Sequence, residues 1–308
     1  MAARDQLSSL NLPITIMIPT TATRRRRDFL QRSIDSALTQ SGVCVSVLVI
    51  ANGNQCDENL LSELGRTPGV TVIREPVASL PRALEIGRNN IDTPMFGEID
   101  DDDQFLPSAL RALLDGFGQN TDADVVVGKA VLRHNHAADT MSIADIEQVR
   151  DDPLEALLRS NWLVPGSGLF RSDRVPPTVF VGIPKFLEWT FLAAVLCLNH
   201  KIAFVPDAVV VHHVGLPFSM DTSAEMPFER IEGIKKILSL PLPEETRCGF
   251  RRKLASAYHH CSDLCLNKRE FAAALGLHIN SLIHPGGWRY LPYTRQLLAL
   301  IHHLSRTR

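Results

Sequence analysis

The chain has 308 residues, 45% of them apolar and 21% charged, proportions that suit a soluble globular protein with one large domain, or one domain plus a smaller one. A net charge of −2 gives no general argument for nucleic-acid binding. The six cysteines contain no CxxC pair and fit a reduced, cytoplasmic protein. The segment Met1 to Gln6 carries no apolar core of a signal peptide, and the longest apolar stretch, Trp189 to Leu198, is too short to span a bilayer.

The first half alternates strand and helix signals. Ile14 to Ile18 reads as a buried strand stopped by Pro19. Asp28 is placed to cap a helix that carries Leu30, Ile34, Ala37 and Leu38 on one face. Val45 to Ile50 is a second strand, ended by the turn residues Asn52 and Gly53. Val70 to Ile73 is a third strand, Leu80 to Asn89 a helix, and Pro94 to Ile99 a fourth strand. Leu106, Leu110, Leu113, Leu114 and Phe117 then recur at helical spacing. This alternation predicts an α/β fold with a mostly parallel, Rossmann-like sheet flanked by helices.

The middle is less regular. Asp124 to Leu132 reads as a long strand and Gly166 to Phe170 as a short one. Glu188 to Leu198 reads as a helix with a wide apolar face. Ile202 to Val205 and Ala208 to His212 read as two strands separated by Pro206 and Asp207. Beyond about residue 225 helical periodicity dominates, broken by turns at Pro241-Leu242-Pro243 and Pro285-Gly286-Gly287. A boundary near residue 222 divides a domain over 1–222 from a helical C-terminal region over 223–308. His259, His260, Cys261 and Cys265 suggest zinc, but no second ligand pair is spaced to close a tetrahedral site, so helix packing is preferred. Leu297, Ile301 and Leu304 share one face of the final segment, with Arg295, Arg306 and Arg308 elsewhere. That face suits packing or a homodimer, or, as a sharper alternative, peripheral contact with the inner face of a membrane.

The strongest signal is the run Asp100-Asp101-Asp102-Asp103 at the end of the fourth strand. Most acidic runs are solvated loops. This one lies between a strand and a helix, where α/β sheets bind their ligands. Four adjacent carboxylates repel one another and call for a cation. Hard oxygen donors suit Mg²⁺ or Mn²⁺, which commonly keep some positions for phosphate oxygens.

Taken in order, the segments "ITIMIPT", "SALTQ", "VLVIANGN", "LPRALEIG", "EIDDDDQFLP" and "FLEWTFLAAVLCLNHKIAFVPDAVVVHH" resemble family-2 glycosyltransferases of the GT-A fold, over roughly residues 12 to 218. The resemblance implies inverting transfer of a sugar from a nucleotide-diphosphate donor, most often UDP-linked, to a hydroxyl of a glycan or glycoconjugate acceptor, assisted by Mn²⁺ or Mg²⁺. It implies that Asp102 is the main metal ligand, with Asp100 or Asp101 near the ribose or the metal. Asp103 would then face the acceptor or cap the next helix. His213 matches a closing histidine that can approach the metal. Pro19, Thr20 and Thr21 lie where the family holds the nucleotide base. The family's base-contacting aspartate corresponds to Ala51, leaving Asn52 as a replacement or a nucleotide other than UDP. Arg82 is placed to reach the diphosphate. The run Arg24 to Arg27 stands at the mouth of this site; it could hold a diphosphate or a lipid-linked phosphate, and a solvated loop is its default.

Inverting transfer also needs a general base on the acceptor side. Glu188 is the candidate, at the position of the second acid of the family's Glu-Asp pair. It could otherwise be an ordinary first-turn carboxylate favoured by the helix dipole. Trp189, next to it, could stack on a sugar or pack in the core. Two other classes remain. A metal-dependent phosphotransferase or phosphatase with an aspartyl nucleophile is disfavoured, because its motif belongs on the first strand. A non-catalytic sugar-nucleotide-binding protein is kept open by Ala51 and by the Leu187-Glu188 pair. A processive synthase is disfavoured, because neither a Gln-x-x-Arg-Trp motif nor a membrane span is present.

Overall fold

The computed structural model describes residues 12–134, 137–216 and 223–305, with side chains placed through residue 300. These residues divide into two compact units, and the division falls within residues 217–222, outside the described residues together with the boundary expected near 222.

The first unit is built on a nine-stranded sheet. In chain order it contains β1 (Pro13–Thr20), α1 (Arg27–Leu38), β2 (Cys44–Asn52), α2 (Glu58–Leu64), β3 (Val70–Glu75), α3 (Leu80–Asn89), β4 (Met95–Glu98), β5 (Gln104–Phe105) and α4 (Ala109–Gln119). There follow β6 (Val125–His134), β7 (Thr140–Met141), α5 (Ile146–Asp151), α6 (Pro153–Ala156), β8 (Gly168–Arg171), α7 (Glu188–Asn199) and β9 (Ile202–Val214). The order across the sheet is β3-β2-β1-β4-β8-β6-β9-β5, with β7 beside β6. β3, β2, β1 and β4 are parallel, as are β6 and β9. β8 runs antiparallel between β4 and β6. The central strands are buried on both faces, which explains their continuous Ile and Val runs. Ile14, Ile16, Ile18, Val47 and Val49 join Leu30, Ile34 and Ala37 of α1 in the main core.

Four boundaries depart from the sequence expectation. β1 does not stop at Pro19 but runs to Thr20. Its pairing with β4 ends at Met17, so Pro19 is laddered only toward β2, a place that tolerates a missing N–H. Asp28 does not cap α1. A short 3₁₀ turn, Arg24–Arg26, leads into that helix and puts Asp28 in its first turn. The helix expected from Leu106 begins at Ala109, after Ser108 in a left-handed conformation (φ 62°). The two strands expected around Pro206 form one strand, β9. Its register jumps from Val127↔Phe204 to Lys129↔Ala208, so Pro206 and Asp207 are absorbed in a bulge opposite Gly128.

The second unit contains α8 (Met226–Leu238), α9 (Glu244–Asn267), α10 (Phe271–Ile283) and α11 (Leu291–Ser305). Cys265, Ala274 and Leu297 form its small core. Ser262 donates to the Ala274 carbonyl (2.7 Å) and Cys261 to the Pro227 carbonyl (3.2 Å), so both residues are engaged in packing. His259 stacks on Tyr290 with 4.0 Å between ring centroids. None of the residues of the zinc reading belongs to a metal-ligating group among the described residues. Ile283, Trp288 and Leu291 are exposed, whereas Leu297 is buried. The side chains of Ile301 and Leu304, and Arg306 and Arg308, lie outside the described residues. Among the described residues no helix is long and apolar enough to cross a membrane.

Candidate active site

The parallel strands deliver the site residues to one edge of the sheet. Thr20 and Ala51 are register partners at the ends of β1 and β2, and the acidic run follows β4 immediately. This is where an open α/β sheet has its ligand crevice. Pro19, Thr20, Ala51 and Asn52 are buried there, and Thr21 is exposed. The Asn52 amide donates to the Thr20 carbonyl (3.1 Å), tying the two strand ends together.

The four aspartates have separate surroundings. Asp101 is buried and accepts from Thr20 Oγ1 at 2.5 Å and from Arg26 Nε at 2.7 Å, with Arg26 Nη2 on its other oxygen. The same Nη2 reaches Asp102 Oδ2 at 3.0 Å. Burial and the neighbouring Asp101 charge push the Asp102 carboxyl up, and Arg26 only partly opposes them. Asp100 is half-buried. Burial and the charges of Asp103 and Asp102 raise it well above the usual carboxylate range.

Asp103 is held from β9. It does not cap α4. Gln104 of β5 pairs with Val211 of β9 in antiparallel register, so the preceding Asp103 comes opposite His212. Its Oδ2 lies 2.5 Å from His212 Nδ1, and its Oδ1 accepts the His213 backbone N–H at 2.9 Å. Burial raises the Asp103 carboxyl, but these hydrogen bonds outweigh burial and hold it below the usual range. Burial pulls the His212 imidazole down, but the Asp103 partnership and the nearby Asp100 and Asp102 charges lift it to about 9.

Ligand atoms of Asp100, Asp103 and His212 all lie within 4.8 Å of one another. Two carboxylates and an imidazole at this spacing fit a divalent cation of the Mn²⁺ or Mg²⁺ type. Asp102, expected as main ligand, accepts from Arg26 through Oδ2. The expected His213 contributes its backbone to Asp103, with Nδ1 3.7 Å from Asp103 Oδ1. The adjacent His-His pair in the sequence gives no means of choosing between them; the β5–β9 register does.

Glu188 opens α7, half-buried, directly after Leu187, whose φ of 61° is left-handed. A non-glycine residue there costs roughly 1–2 kcal/mol, and such strain gathers where a side chain must be aimed. Glu188 is close enough to the acidic run for its charge to act on Glu98, as do Asp100 and Asp103. Glu98 was not singled out in the sequence, although a lone acid inside an apolar strand is itself a signal. It is 1% exposed, and neither side-chain oxygen has a hydrogen-bond partner among the described residues. Burial first, then those like charges, raise its carboxyl well above the ordinary value. Trp189 is buried in the core. Arg82 lies apart from the acidic run's partners. Its Nε is 2.9 Å from Glu75 at the end of β3, and its side chain is more than half exposed.

The acidic strand end and the two buried strand termini thus lie together where an open α/β sheet binds its ligands. Residues 15–157 match the family model for glycosyl transferase family 2. No curated protein matches the sequence. The chain is similar in fold to Staphylococcus aureus TarS. Residues 1–349 of TarS in complex with UDP-GlcNAc superpose with a TM-score of 0.59 at 14% identity, over 80% of this chain and 72% of that one. The same TarS fragment with UDP gives 0.54 at 15% identity, over 80% and 71%. A longer TarS chain gives 0.55 at 14% identity, over 80% and 43%. The fold is thus of the GT-A type of that glycosyltransferase, as the sequence resemblance implied.

Proposed function

We propose that the protein transfers a glycosyl group from a nucleoside-diphosphate sugar, UDP-linked in the first instance, to a hydroxyl of a glycan or glycoconjugate, with inversion at the anomeric carbon. The observation that carries the reading is the acidic run at the end of β4. It lies beside the strand ends of β1 and β2, and Glu188 is near enough for its charge to act on Glu98 at the end of β4. The family match and the UDP and UDP-GlcNAc complexes of TarS support the donor class.

In this reading the nucleotide base lies against Pro19, Thr20, Thr21, Ala51 and Asn52, and Asp100 and Asp101 face the ribose and phosphates. Asp100, Asp102, Asp103 and the His212–His213 pair are the residues that would hold a divalent cation. Bound there, such a cation neutralises the diphosphate and assists its departure as a Lewis acid. Glu188 takes the proton of the acceptor hydroxyl as that oxygen bonds to C1. The bond from C1 to the phosphate oxygen breaks, and the nucleoside diphosphate leaves with the electron pair. Residues 1–222 are the catalytic part in this proposal. Exposed Trp288 and Leu291 of the helical part are where contact with a membrane face or a second copy is to be sought.

The test is transfer and hydrolysis with a panel of nucleotide sugars and Mn²⁺, on the wild type and two variants. Asp102→Asn should lose turnover and manganese dependence while keeping its circular dichroism. Glu188→Gln keeps size and hydrogen bonding but cannot accept a proton. It should bind donor nearly normally and lose about 10²–10⁴ in kcat, whereas Glu188→Asp keeps part of it. A Gln variant with near-native kcat would remove Glu188 from the mechanism. Binding of nucleotide sugar by a protein that turns over none of the panel would favour a non-catalytic binder.

A further inference from the structure

Charge and exposure change together beyond Glu270. Residues 223–308 carry 13 Lys and Arg against 7 Asp and Glu, and from 271 onward the only charged side chains are Arg289, Arg295, Arg306 and Arg308. A soluble domain would place roughly nine charges of both signs over such a length. In the same stretch large apolar side chains are turned outward. Of the nine exposed among the described residues, six lie between Ile279 and Leu300. α10 has no charged residue, and its buried positions are Ala274, His278 and Ser281, whereas Ile283 is 70% exposed. A helix that packs on a soluble core shows the opposite pattern. Polar contacts fix this orientation. His278 Nε2 lies 2.7 Å from Thr294 Oγ1 of α11, and the Ala274 carbonyl accepts from Ser262 Oγ of α9. Turning α10 to bury its isoleucines would break both. Trp288 is 71% exposed in the turn Gly287–Tyr290, and Leu291 opens α11 soon after it, with exposed Arg289 between them and exposed Arg295 one turn on.

We propose that α10, the turn after it and the start of α11 form an anchor that lies on the surface of an anionic phospholipid bilayer. Isoleucine, leucine, tryptophan and arginine without an acid compose the face of a helix that rests in a bilayer interface. The aliphatic side chains enter the acyl boundary, the indole sits at headgroup level, and the guanidinium groups meet lipid phosphates. Neither helix is long and apolar enough to cross the bilayer. Such an anchor builds on the peripheral contact proposed above and requires nothing of the donor site. It uses a different face from the one read in the sequence, because Leu297 is buried. A second copy is the poorer occupant. An isologous contact sets the surface against itself, and with no Asp or Glu beyond Glu270 its arginines would face only one another.

The experiment is co-sedimentation of the whole chain with vesicles of phosphatidylcholine alone, and of phosphatidylcholine with about one third phosphatidylglycerol. Wild type should bind the anionic vesicles at least about tenfold more tightly than the neutral ones. Trp162 and Trp189 are buried, so the blue shift in tryptophan fluorescence expected on binding reports Trp288. Ile283→Ser and Trp288→Ser should each weaken binding to anionic vesicles about fivefold or more. Arg289→Gln combined with Arg295→Gln should weaken it about tenfold or more. Val181→Ser removes an exposed apolar side chain from the first unit and should bind like wild type. The anchor is overturned if wild type binds neither kind of vesicle, if it binds both equally, or if Val181→Ser loses as much as Trp288→Ser. It is overturned too if the chain ignores vesicles and forms dimers that Ile283→Ser and Trp288→Ser dissolve, which would assign the face to a second copy. Should one serine variant fail to fold, the other decides, together with the fluorescence of wild type. Vesicle binding by a protein that turns over no nucleotide sugar supports the anchor and refutes transfer; turnover without vesicle binding does the reverse.

Discussion

Replacing Glu98 by Gln should stabilise this protein by an amount that pH sets. Glu98 ends β4 with 1% exposure, and neither of its oxygens has a partner. Burial and the charges of Asp100, Asp103 and Glu188 hold its carboxyl well above the ordinary value. Between the ordinary and the folded value the unfolded chain has it ionised and the folded chain keeps it neutral. Folding in that window takes up a proton, at a cost of about 1.4 kcal/mol for each pH unit above the ordinary value. The sign follows from an acid whose folded value is raised. The cost is absent below the ordinary value and grows as pH rises above it, until the folded value is reached. Glutamine has nearly the same shape and needs no proton, although its amide is left with unmet hydrogen bonds, worth about 1 kcal/mol in either direction.

Wild type and Glu98→Gln should therefore agree within about 1 kcal/mol at pH 4.5, and the variant should gain on wild type as pH rises from there, by about 1.4 kcal/mol for each pH unit up to the folded value. Urea unfolding at pH 4.5, 5.5 and 7, with chelator present and m-values compared, measures the difference. A difference that does not change with pH, or a variant that is less stable at pH 7, would refute the reasoning. It would mean that Glu98 is ionised in the folded chain and has a cationic partner.

Three further outcomes are expected. Ala51 has no side-chain acceptor for a base, so UDP, GDP and TDP with Mn²⁺ should bind within about a hundredfold of one another, or about 2.7 kcal/mol; a larger gap by calorimetry would show that another residue reads the base. His212 is held at about 9 against an ordinary 6.5, so in chelator its pairing with Asp103 is fully present below pH 6.5 and is lost as pH rises through 9. The stability difference between wild type and His212→Gln should shrink over that window by up to about 3 kcal/mol, and a constant difference would show that the pair is not ionic. Gly166 has φ +75°, and a Cβ there would lie 2.6 Å from Val210 Cγ2. Gly166→Ala should lose about 2–4 kcal/mol in urea unfolding, from left-handed strain and overpacking together; a loss below about 1 kcal/mol would mean that the β8 approach relaxes freely.

What was legible in the sequence was local. Leu80–Asn89 was legible as a helix, and the parallel strands from their apolar runs. The acidic run announced a site because four like charges at a strand end need an explanation within a few residues. Its partners were not legible, because they are distant along the chain. Thr20 and Arg26 lie 81 and 75 residues before Asp101, and His212 lies 109 after Asp103. The last of these contacts depends on a two-residue strand, β5, too short to leave a period of its own. It depends also on a bulge at Pro206 that shifts β9 against β6, where the proline reads in isolation as an interruption. The arginine run shows the same limit from the other side. Four adjacent arginines look alike in sequence, but the turn after β1 sends Arg26 to Asp101 and Asp102 while Arg27 pairs with Glu63. Short-range pattern thus fixes which carboxylates are gathered, and long-range register fixes which cation each one faces. The chemistry of the site lies in the second, since a carboxylate already bound to an arginine meets a metal differently from one bound to a histidine.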